Sequence, residues 1–395
     1  VNNLQPIKND PTSFMNNKMR YYMYDLDKYL YRSNHNYRPV MRKRYGEYGD
    51  VEVQILEALH EHPLRTDDPT QASVFVIPVS LTDFFVRTGD FKSLYADIAN
   101  ETIFQKYHGH QHLIIAQTPL LFSRPYIHPT KVISRGYKIL WNVTVAKFSD
   151  QDGCRLAVDR GFITGSNADF KSVMIGAGHA MSRSTFSISH IPDKKLPLIP
   201  ATMTRFINAT YQVFQQSRPS KFVSNSTQYR RALINNTNTD SSLLHTLYHN
   251  SSIGFGLDSD QWTRSFSSSR FCMVIRGDDP ASRTFLRAVK FGCIPVIVSN
   301  LVPVFAPVFK SSIDIRDFTI IIDETKFLEN PVEVIVTRLN RMDWEEVKAK
   351  MKWLELAQRL VVPDHPESLF VPAMMYEMQM ARETSLSKNQ TELVF

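Results

Sequence analysis

Apolar residues come in short continuous runs separated by stretches of helical spacing, a pattern typical of alternating strands and helices. The run Ser73–Ser80 (SVFVIPVS) has the composition of a strand that is buried on both faces. Three similar runs predict its neighbours in a parallel sheet: Tyr21–Leu26, His112–Thr118 and Lys138–Val143. Between the first two strands, Val51–His60 carries its apolar residues on one face and predicts a helix that ends before Pro63.

The periodicity is interrupted in the middle of the chain. A proline-rich stretch at Pro192–Pro200 precedes a segment rich in Ser, Thr and Asn over 217–250. We therefore predict a domain boundary near residues 195–215. The chain then divides into an N-terminal tail or stem remnant, two Rossmann-like lobes and a C-terminal extension, with predicted bounds 1–19, 20–205, 206–365 and 366–395.

The second half repeats the strand and helix pattern. Its predicted strands are Arg270–Ile275, Ile294–Ser299 and Thr319–Ile322. A long helix follows, with Asp343 and Glu346 in a capping pattern and Pro363 at its end. The residues beyond Pro363 are then free to cross back to the first lobe.

One segment, residues 271–300, predicts a strand, a tight loop, a helix and a second strand. Gly277 allows the turn, Asp279 suits the helix N-cap and Pro280 suits the first helical position. Gly292 suits the C-terminal stop of this helix, Pro280–Phe291. The loop of such a unit lies where open α/β sheets bind ligands.

Two arginines flank this loop, Arg276 before the glycine and Arg283 in the first helical turn. Guanidinium groups match phosphate oxygens in bidentate fashion, and a helix N-terminus adds N–H donors. Together they would hold a diphosphate without a metal. The alternative is a surface ion network in which both arginines pair with Asp278 and Asp279.

Composition and charge narrow the function classes. The chain has 395 residues, of which 43% are apolar and 11% aromatic, which excludes a disordered protein and favours two or more compact lobes. No apolar run has the length of a membrane span, and the chain opens without an apolar leader, so we expect any anchor or targeting signal to lie outside it. The net charge of +7 fits a solvated basic face or attraction to an anionic ligand. Nucleic acid is not an expected partner, since the chain has no zinc-finger spacing and no strongly basic tail.

Cysteines and sequons bear on the compartment. Three cysteines, Cys154, Cys272 and Cys293, have the spacing of neither a metal site nor a disulfide framework, and the apolar runs around the last two predict buried thiols. Seven Asn-X-Ser/Thr sequons exceed the number expected by chance and predict a secretory protein with surface glycans. They lie at Asn100, Asn142, Asn208, Asn225, Asn235, Asn250 and Asn389.

The second-lobe segment resembles the donor-binding core of the exostosin-like glycosyltransferases, glycosyltransferase family 47. The matching motifs are Phe-Cys-Met-Val-Ile-Arg-Gly-Asp at 271–278, Ser282-Arg283, and Gly-Cys-Ile-Pro-Val-Ile at 292–297. A second match in the first lobe, Arg-Thr-Asp-Asp-Pro at 65–69 followed by Val-Phe-Val-Ile-Pro-Val at 74–79, resembles the family's N-terminal motif. The resemblance covers about residues 20–360.

This resemblance implies an α/β protein of the GT-B type, with two Rossmann-like lobes facing a cleft. It implies an inverting transferase whose C-terminal lobe binds a nucleotide-sugar, a UDP-sugar in preference to a GDP-sugar, and whose N-terminal lobe binds a glycan acceptor. No metal or other cofactor is required. The donor residues would be Arg276, Gly277, Asp278, Ser282 and Arg283. Location as a type II protein of the Golgi lumen, and a homo- or heterodimer with a related transferase, are further expectations.

The first lobe should supply the general base that deprotonates the acceptor. The leading candidates are His112, which opens a predicted strand, and Asp25, which ends another; Asp83 and His110 are alternatives. On a strand, the alternate positions of His108, His110 and His112 would place all three on one face, where imidazoles could bind zinc. Gly109 favours a loop there instead, so we predict no metal.

Arg287 departs from the family pattern, which has a ribose-binding Glu at this helical position. This departure keeps two other hypotheses open. One is a catalytically silent exostosin-like partner, and the other is a glycan- or polyanion-binding protein.

Overall fold

The computed structural model describes residues 19–30, 51–81, 91–116, 142–147, 184–188, 196–214, 227–237, 259–276, 284–305 and 308–392. These residues form two separate parallel β-sheets with helices packed around them. An α/β architecture of two Rossmann-like units is therefore confirmed.

The first sheet contains six strands in the described residues, and its order is β2-β1-β3-β4-β5-β6. The strands are β1 (Tyr21–Met23), β2 (Arg65–Thr66), β3 (Val74–Val76), β4 (His112–Ala116), β5 (Thr144–Lys147) and β6 (Ser184–Ser187). All described pairings are parallel.

Both faces of this sheet are buried, as the continuous apolar runs predict. Leu113 and Ile115 of β4 join one hydrophobic cluster, whereas Ile114 and Ala116 join another. Alternate side chains point to opposite faces of a strand, so each face has its own core. Helices Phe91–Asn100 and Thr102–Tyr107 contribute Leu94, Ile98 and Phe104 to the second cluster.

The second sheet has the order β10-β9-β8-β7, again with parallel pairings throughout. Its strands are β7 (Tyr211–Phe214), β8 (Ser269–Ile275), β9 (Ile294–Val298) and β10 (Ile320–Ile322). Further helices lie at 51–61, Met203–Asn208, Thr227–Thr237, Ser259–Ser267, Thr284–Lys290, Glu324–Glu329, Pro331–Asn340, Trp344–Val361 and Phe370–Glu392. Shorter helical turns lie at Leu26–Tyr29, Pro69–Gln71, Val302–Phe305 and Ile315–Phe318.

Local signals located the helix ends well. The side chain of Asp343 accepts a hydrogen bond from the Glu346 backbone N–H and caps helix Trp344–Val361, as the capping pattern predicts. Gly292 has a φ of +61° just after helix Thr284–Lys290, which confirms the predicted stop. The predicted Asp279 cap and Pro280 lie outside the described residues.

One predicted strand is shorter than expected, one falls mostly outside the described residues, and three strands were missed. Of the strand predicted at Lys138–Val143, residues 138–141 lie outside the described residues, and 142–143 form a turn before β5 at Thr144–Lys147. The run Ser73–Ser80 is a ladder strand only over Val74–Val76. Pro78 cannot donate a ladder hydrogen bond, which limits the length of β3. The missed strands β2, β6 and β7 are only two to four residues long.

The prediction of buried thiols at Cys272 and Cys293 was wrong. The two residues form a disulfide with a Cα–Cα distance of 5.8 Å. Cys272 lies in β8 and Cys293 directly precedes the adjacent strand β9, so parallel pairing brings them side by side although they are 21 residues apart in sequence. Linear spacing could not reveal this, because the pairing depends on the register of two strands. Disulfides persist in oxidising compartments, which agrees with the secretory interpretation of the sequons.

The segment between the sheets is tied to the second sheet. The Ile199 N–H donates to the Lys290 carbonyl at 3.0 Å, and the side-chain amide of Gln358 donates to the carbonyls of Ile199 and Val289 at 2.7 and 2.8 Å. The Gln358 oxygen in turn accepts from the Ala201 N–H at 2.9 Å. Residues 199–201, which fall inside the predicted boundary region, are therefore fixed against helices Thr284–Lys290 and Trp344–Val361.

The C-terminal helix Phe370–Glu392 returns to the first sheet and contacts β5 and β6. Its residues Met374, Met375 and Met378 are buried in the larger hydrophobic cluster. None of the described helices is long and apolar enough to cross a membrane.

Candidate functional site

Three strands of the second sheet end at the same level. Ile275, the last residue of β8, is in register with Val298 of β9, and Val298 is in register with Ile322 of β10. The residues that follow these three positions therefore share one edge of the sheet. This carboxyl edge is where open α/β sheets bind ligands.

Arg276 is the first residue after β8, and its side chain is buried, with 3% exposed. Its Nη1 atom lies 3.2 Å from Oε2 and 3.4 Å from Oε1 of Glu324, which follows β10. Glu324 is equally buried. A buried charge is stable only when it is paired and hydrogen-bonded, so each of these residues accounts for the burial of the other.

Tyr229, on helix Thr227–Thr237, contacts both members of this ion pair. Its hydroxyl donates to Oε2 of Glu324 at 2.8 Å, and its ring lies 5.4 Å from the Arg276 guanidinium carbon. Burial, and then the hydrogen bond with Glu324, raise the pKa of the Tyr229 hydroxyl. The hydroxyl therefore keeps its proton and acts as a donor.

Asn300 connects the end of β9 to the same carboxylate. Its backbone N–H donates to Oε1 of Glu324 at 3.2 Å, and its side-chain oxygen accepts from the Glu324 N–H at 3.2 Å. The Asn300 amide nitrogen also donates to Asp323 at 3.0 Å. The preceding residue, Ser299, is fully buried, and its hydroxyl has no hydrogen-bond partner within the described ranges. This edge therefore contains a buried hydroxyl whose hydrogen-bonding capacity is unused there.

Of the five predicted donor residues, the structure describes Arg276 alone. Gly277, Asp278, Ser282 and Arg283 lie outside the described residues, as does the alternative partner Asp279. Arg276 has a partner that neither hypothesis anticipated, because Glu324 lies 48 positions away in sequence.

His112 lies at the amino end of β4 and is fully buried. Its Nε2 is 2.8 Å from the Tyr24 hydroxyl, and its ring packs against Phe75 and Phe104. Burial lowers the pKa of His112 to about 3. A neutral imidazole enclosed by aromatic rings, at the opposite end of its strand from the carboxyl edge, is a core residue. We therefore do not retain it as the general base.

Asp25 lies beyond the carboxyl end of β1 and is exposed. It caps helix Leu26–Tyr29, and its Oδ1 accepts from the backbone N–H groups of Asp27 and Lys28 at 2.8 and 3.2 Å. Capping accounts for one carboxylate oxygen. The position at the carboxyl edge of the first sheet keeps Asp25 as the candidate base; Asp83 lies outside the described residues.

The three neighbouring histidines do not share one strand face. His108 and Gly109 have φ values of +49° and +83° and form a turn before β4, as Gly109 predicts. Only His112 belongs to the strand. In the part of the chain that the structure describes, no three His, Cys, Asp or Glu side chains are grouped as metal ligands would be.

The sequon asparagines differ in their surroundings. Asn100 and Asn208 are exposed at helix ends, whereas Asn142 is half-buried and donates to the His108 carbonyl at 3.1 Å. Asn235 and Asn389 lie on helices. Asn225 and Asn250 lie outside the described residues.

The two parallel sheets and the helices around them define the class of a GT-B, Rossmann-like fold. The Exostosin GT47 domain matches residues 15–339, so the chain belongs to the exostosin family of glycosyltransferases, family 47. A search of curated proteins found no significant match. Members of this family are Golgi enzymes.

Sequence reasoning missed Tyr229, Asn300 and Glu324. A usable signal existed for two of them, because Asn300 and Glu324 follow predicted parallel strands and so must lie near the carboxyl end of β8. Nothing local distinguished Tyr229, which reaches the site from a helix in the Ser/Thr/Asn-rich segment.

Proposed function

We propose that this chain is an inverting glycosyltransferase that transfers a sugar from a nucleoside diphosphate sugar to a glycan acceptor in the Golgi lumen. A UDP-sugar is favoured over a GDP-sugar as donor, and no metal is required. The observation that carries the proposal is the position of Arg276, at the edge of the sheet where three parallel strands end in register. The chain that places it there belongs to the exostosin family.

In this proposal Arg276 and Arg283 donate hydrogen bonds to the diphosphate of the donor. The diphosphate gains negative charge as the bond to the sugar breaks, so contacts that strengthen in the transition state speed the reaction. Gly277, Asp278 and Ser282 complete the loop around the donor. Asp25 of the first lobe is the candidate base for the acceptor hydroxyl.

The test is calorimetric titration of UDP and GDP into wild type, Arg276→Ala and Arg283→Ala, with thermal melts to confirm folding. Each lost charge-assisted hydrogen bond should weaken nucleotide binding by roughly 10- to 150-fold, corresponding to about 1.5–3 kcal/mol. Arg287→Ala, on helix Thr284–Lys290, is the matched control and should have a milder effect. Unchanged nucleotide binding by both Arg276→Ala and Arg283→Ala would show that the donor site is wrongly assigned.

A specific observation favours a second candidate function, a catalytically silent partner that forms a dimer with an active relative. The charge of Arg276 is already balanced by Glu324, and Arg287 stands where the family has an acidic residue. A wild-type chain that folds but binds neither UDP nor GDP would support this function over the first.

A further inference from the structure

The carboxylate of Glu324 is fixed by hydrogen bonds from two elements other than its own. The hydroxyl of Tyr229 reaches it from helix Thr227–Thr237, the N–H of Asn300 reaches it from the end of β9, and Glu324 itself begins helix Glu324–Glu329. Both carboxylate oxygens are therefore fixed. Such a carboxylate has a single orientation toward Arg276.

Glu324 engages Arg276 through one nitrogen only. Both contacts, at 3.2 and 3.4 Å, start from Nη1 of Arg276. In the strongest arginine–carboxylate pairs, two nitrogens meet two oxygens in a parallel fork. The observed arrangement anchors one corner of the guanidinium and does not use its other nitrogens for Glu324.

An arginine side chain has many rotamers, and a ligand must overcome the loss of this entropy if the side chain is free to move. The Glu324 carboxylate on one corner and the Tyr229 ring at 5.4 Å restrict this freedom before any ligand arrives. Ordering of this kind reduces the cost of binding.

We propose that Glu324, fixed by Tyr229 and Asn300, is a positioning residue that holds the Arg276 guanidinium in the orientation that receives the donor diphosphate. The inference rests on the function proposed above and adds a residue that acts through Arg276. Its rival is sequestration, in which Glu324 competes with the diphosphate for Arg276. The two mechanisms predict opposite results when the negative charge of Glu324 is removed.

The first measurement is titration of UDP and GDP into wild type, Glu324→Gln, Glu324→Asp and Tyr229→Phe. Glu324→Gln removes the negative charge, on which the two mechanisms disagree. Glu324→Asp keeps the charge but withdraws the carboxylate by one methylene, and Tyr229→Phe removes only the hydroxyl that fixes it. We expect each variant to bind the nucleotide about 5- to 30-fold more weakly, which corresponds to about 1–2 kcal/mol of coupling. Glu346→Asp is the matched control, since Glu346 pairs with Arg338 elsewhere in the chain, and it should bind as wild type does.

The second measurement is a double-mutant cycle. If Glu324 acts through Arg276, then Glu324→Asp should cause no further loss of affinity in an Arg276→Ala background. A residue that merely stabilises the fold would not show this dependence. Thermal melts of all variants distinguish a loss of folding from a loss of nucleotide binding. If Glu324→Asp does not fold, Tyr229→Phe in the wild-type and Arg276→Ala backgrounds provides the same test.

The inference is overturned if Glu324→Asp and Tyr229→Phe bind the nucleotide as tightly as wild type. It is also overturned if Glu324→Asp lowers the nucleotide affinity by the same factor in the wild-type and Arg276→Ala backgrounds. Tighter binding by Glu324→Gln overturns it in favour of sequestration. A wild-type chain that binds no nucleotide overturns the proposed function and this inference with it. Because wild type is titrated first, that failure is distinct from a failure of the positioning role alone.

Discussion

The backbone N–H of Ser311 donates a hydrogen bond of 2.7 Å to the side-chain carboxyl group of Glu377. Ser312 adds its hydroxyl to the same oxygen at 3.2 Å. Glu377 lies on the C-terminal helix, which contacts the first sheet, whereas Ser311 follows β9 of the second sheet. The nearby segment also bonds the first sheet directly, since the Phe309 N–H donates to the Ser187 carbonyl of β6. Glu377 therefore lies where the two sheets are tied together.

Glu377 predicts a pH dependence of stability. Its side chain is buried, and this burial raises the pKa from 4.5 to about 7 against the opposing effects of Ser311, Ser312 and Lys310. Between these values the folded state keeps a proton that the unfolded state has lost. The contribution of Glu377 to stability is therefore full below about pH 4.5 and declines as the pH rises toward 7.

Glu377→Gln mimics the protonated group, so we expect its stability not to show this decline as the pH rises. The melting temperature of wild type should fall relative to that of Glu377→Gln between pH 5 and pH 8, with the difference growing as the pH rises. Melting curves at closely spaced pH values check this. Parallel curves for the two proteins would contradict it.

The disulfide between Cys272 and Cys293 predicts a labelling pattern and a loss of stability. Alkylation of the unreduced, unfolded protein should modify Cys154 alone, and a peptide map should contain one cross-linked pair. Removal of the bond in Cys272→Ala/Cys293→Ala should cost about 2–4 kcal/mol of unfolding free energy. Cys154→Ser is the control and should keep the cross-linked pair. Alkylation of all three cysteines in protein from a secretory host would refute the assignment.

Gly292 predicts a strong effect of one added methyl group. A Cβ at this position would lie 2.7 Å from the Ile199 carbonyl oxygen and 3.0 Å from the Ala201 Cα, and the residue has a φ of +61°. Gly292→Ala should therefore destabilise the protein by about 1–3 kcal/mol or more, as measured by denaturant unfolding. Gly109→Ala is a matched control, because its φ of +83° is also strained, but the nearest neighbours of its added Cβ would be the side chains of Val143 and Phe104, at 3.2 and 3.3 Å. A Gly292→Ala variant that is no less stable than Gly109→Ala would contradict the close approach of residues 199–201 to Gly292.

What the sequence could predict depends on how local each feature is. The buried strand β8, the Asp343 cap and the Gly292 stop are determined by neighbouring residues, and the structure confirms them. The strand β6 has the sequence STFS, which carries no continuous apolar signal because only Phe186 is apolar. Ser184 is buried all the same, since its hydroxyl accepts a hydrogen bond from Thr144 of the adjacent strand. Its assignment therefore required knowledge of the sheet.

The candidate site shows the same division. Arg276 could be identified because it directly follows a predictable strand. Its partners Tyr229 and Glu324 come from segments 47 and 48 positions away, and their convergence follows from strand order and helix packing. The cysteine pair likewise depends on the register of β8 and β9.

The sequons predict a site-specific glycosylation pattern. Asn100 and Asn208 are exposed and should carry glycans when the protein is made in a eukaryotic secretory host. Asn142 should be occupied less, because its amide nitrogen already donates to the His108 carbonyl at 3.1 Å. Glycopeptide mass spectrometry before and after glycosidase treatment measures each site. The secretory interpretation would lose its main support if none of the seven sites released a glycan, and greater occupancy at Asn142 than at both other sites would contradict the ranking.

The most direct test of the account is a turnover assay on the purified wild-type chain. A panel of UDP- and GDP-sugars is incubated with and without mixed glycan acceptors, and the released nucleoside diphosphate is measured. We predict that one donor, a UDP-sugar, releases UDP, that acceptor increases the rate, and that Arg276→Ala reduces kcat/KM by about 10-fold or more. Release of no nucleoside diphosphate from any donor by a folded wild-type chain, together with no binding of UDP or GDP, would contradict the assignment of an active glycosyltransferase.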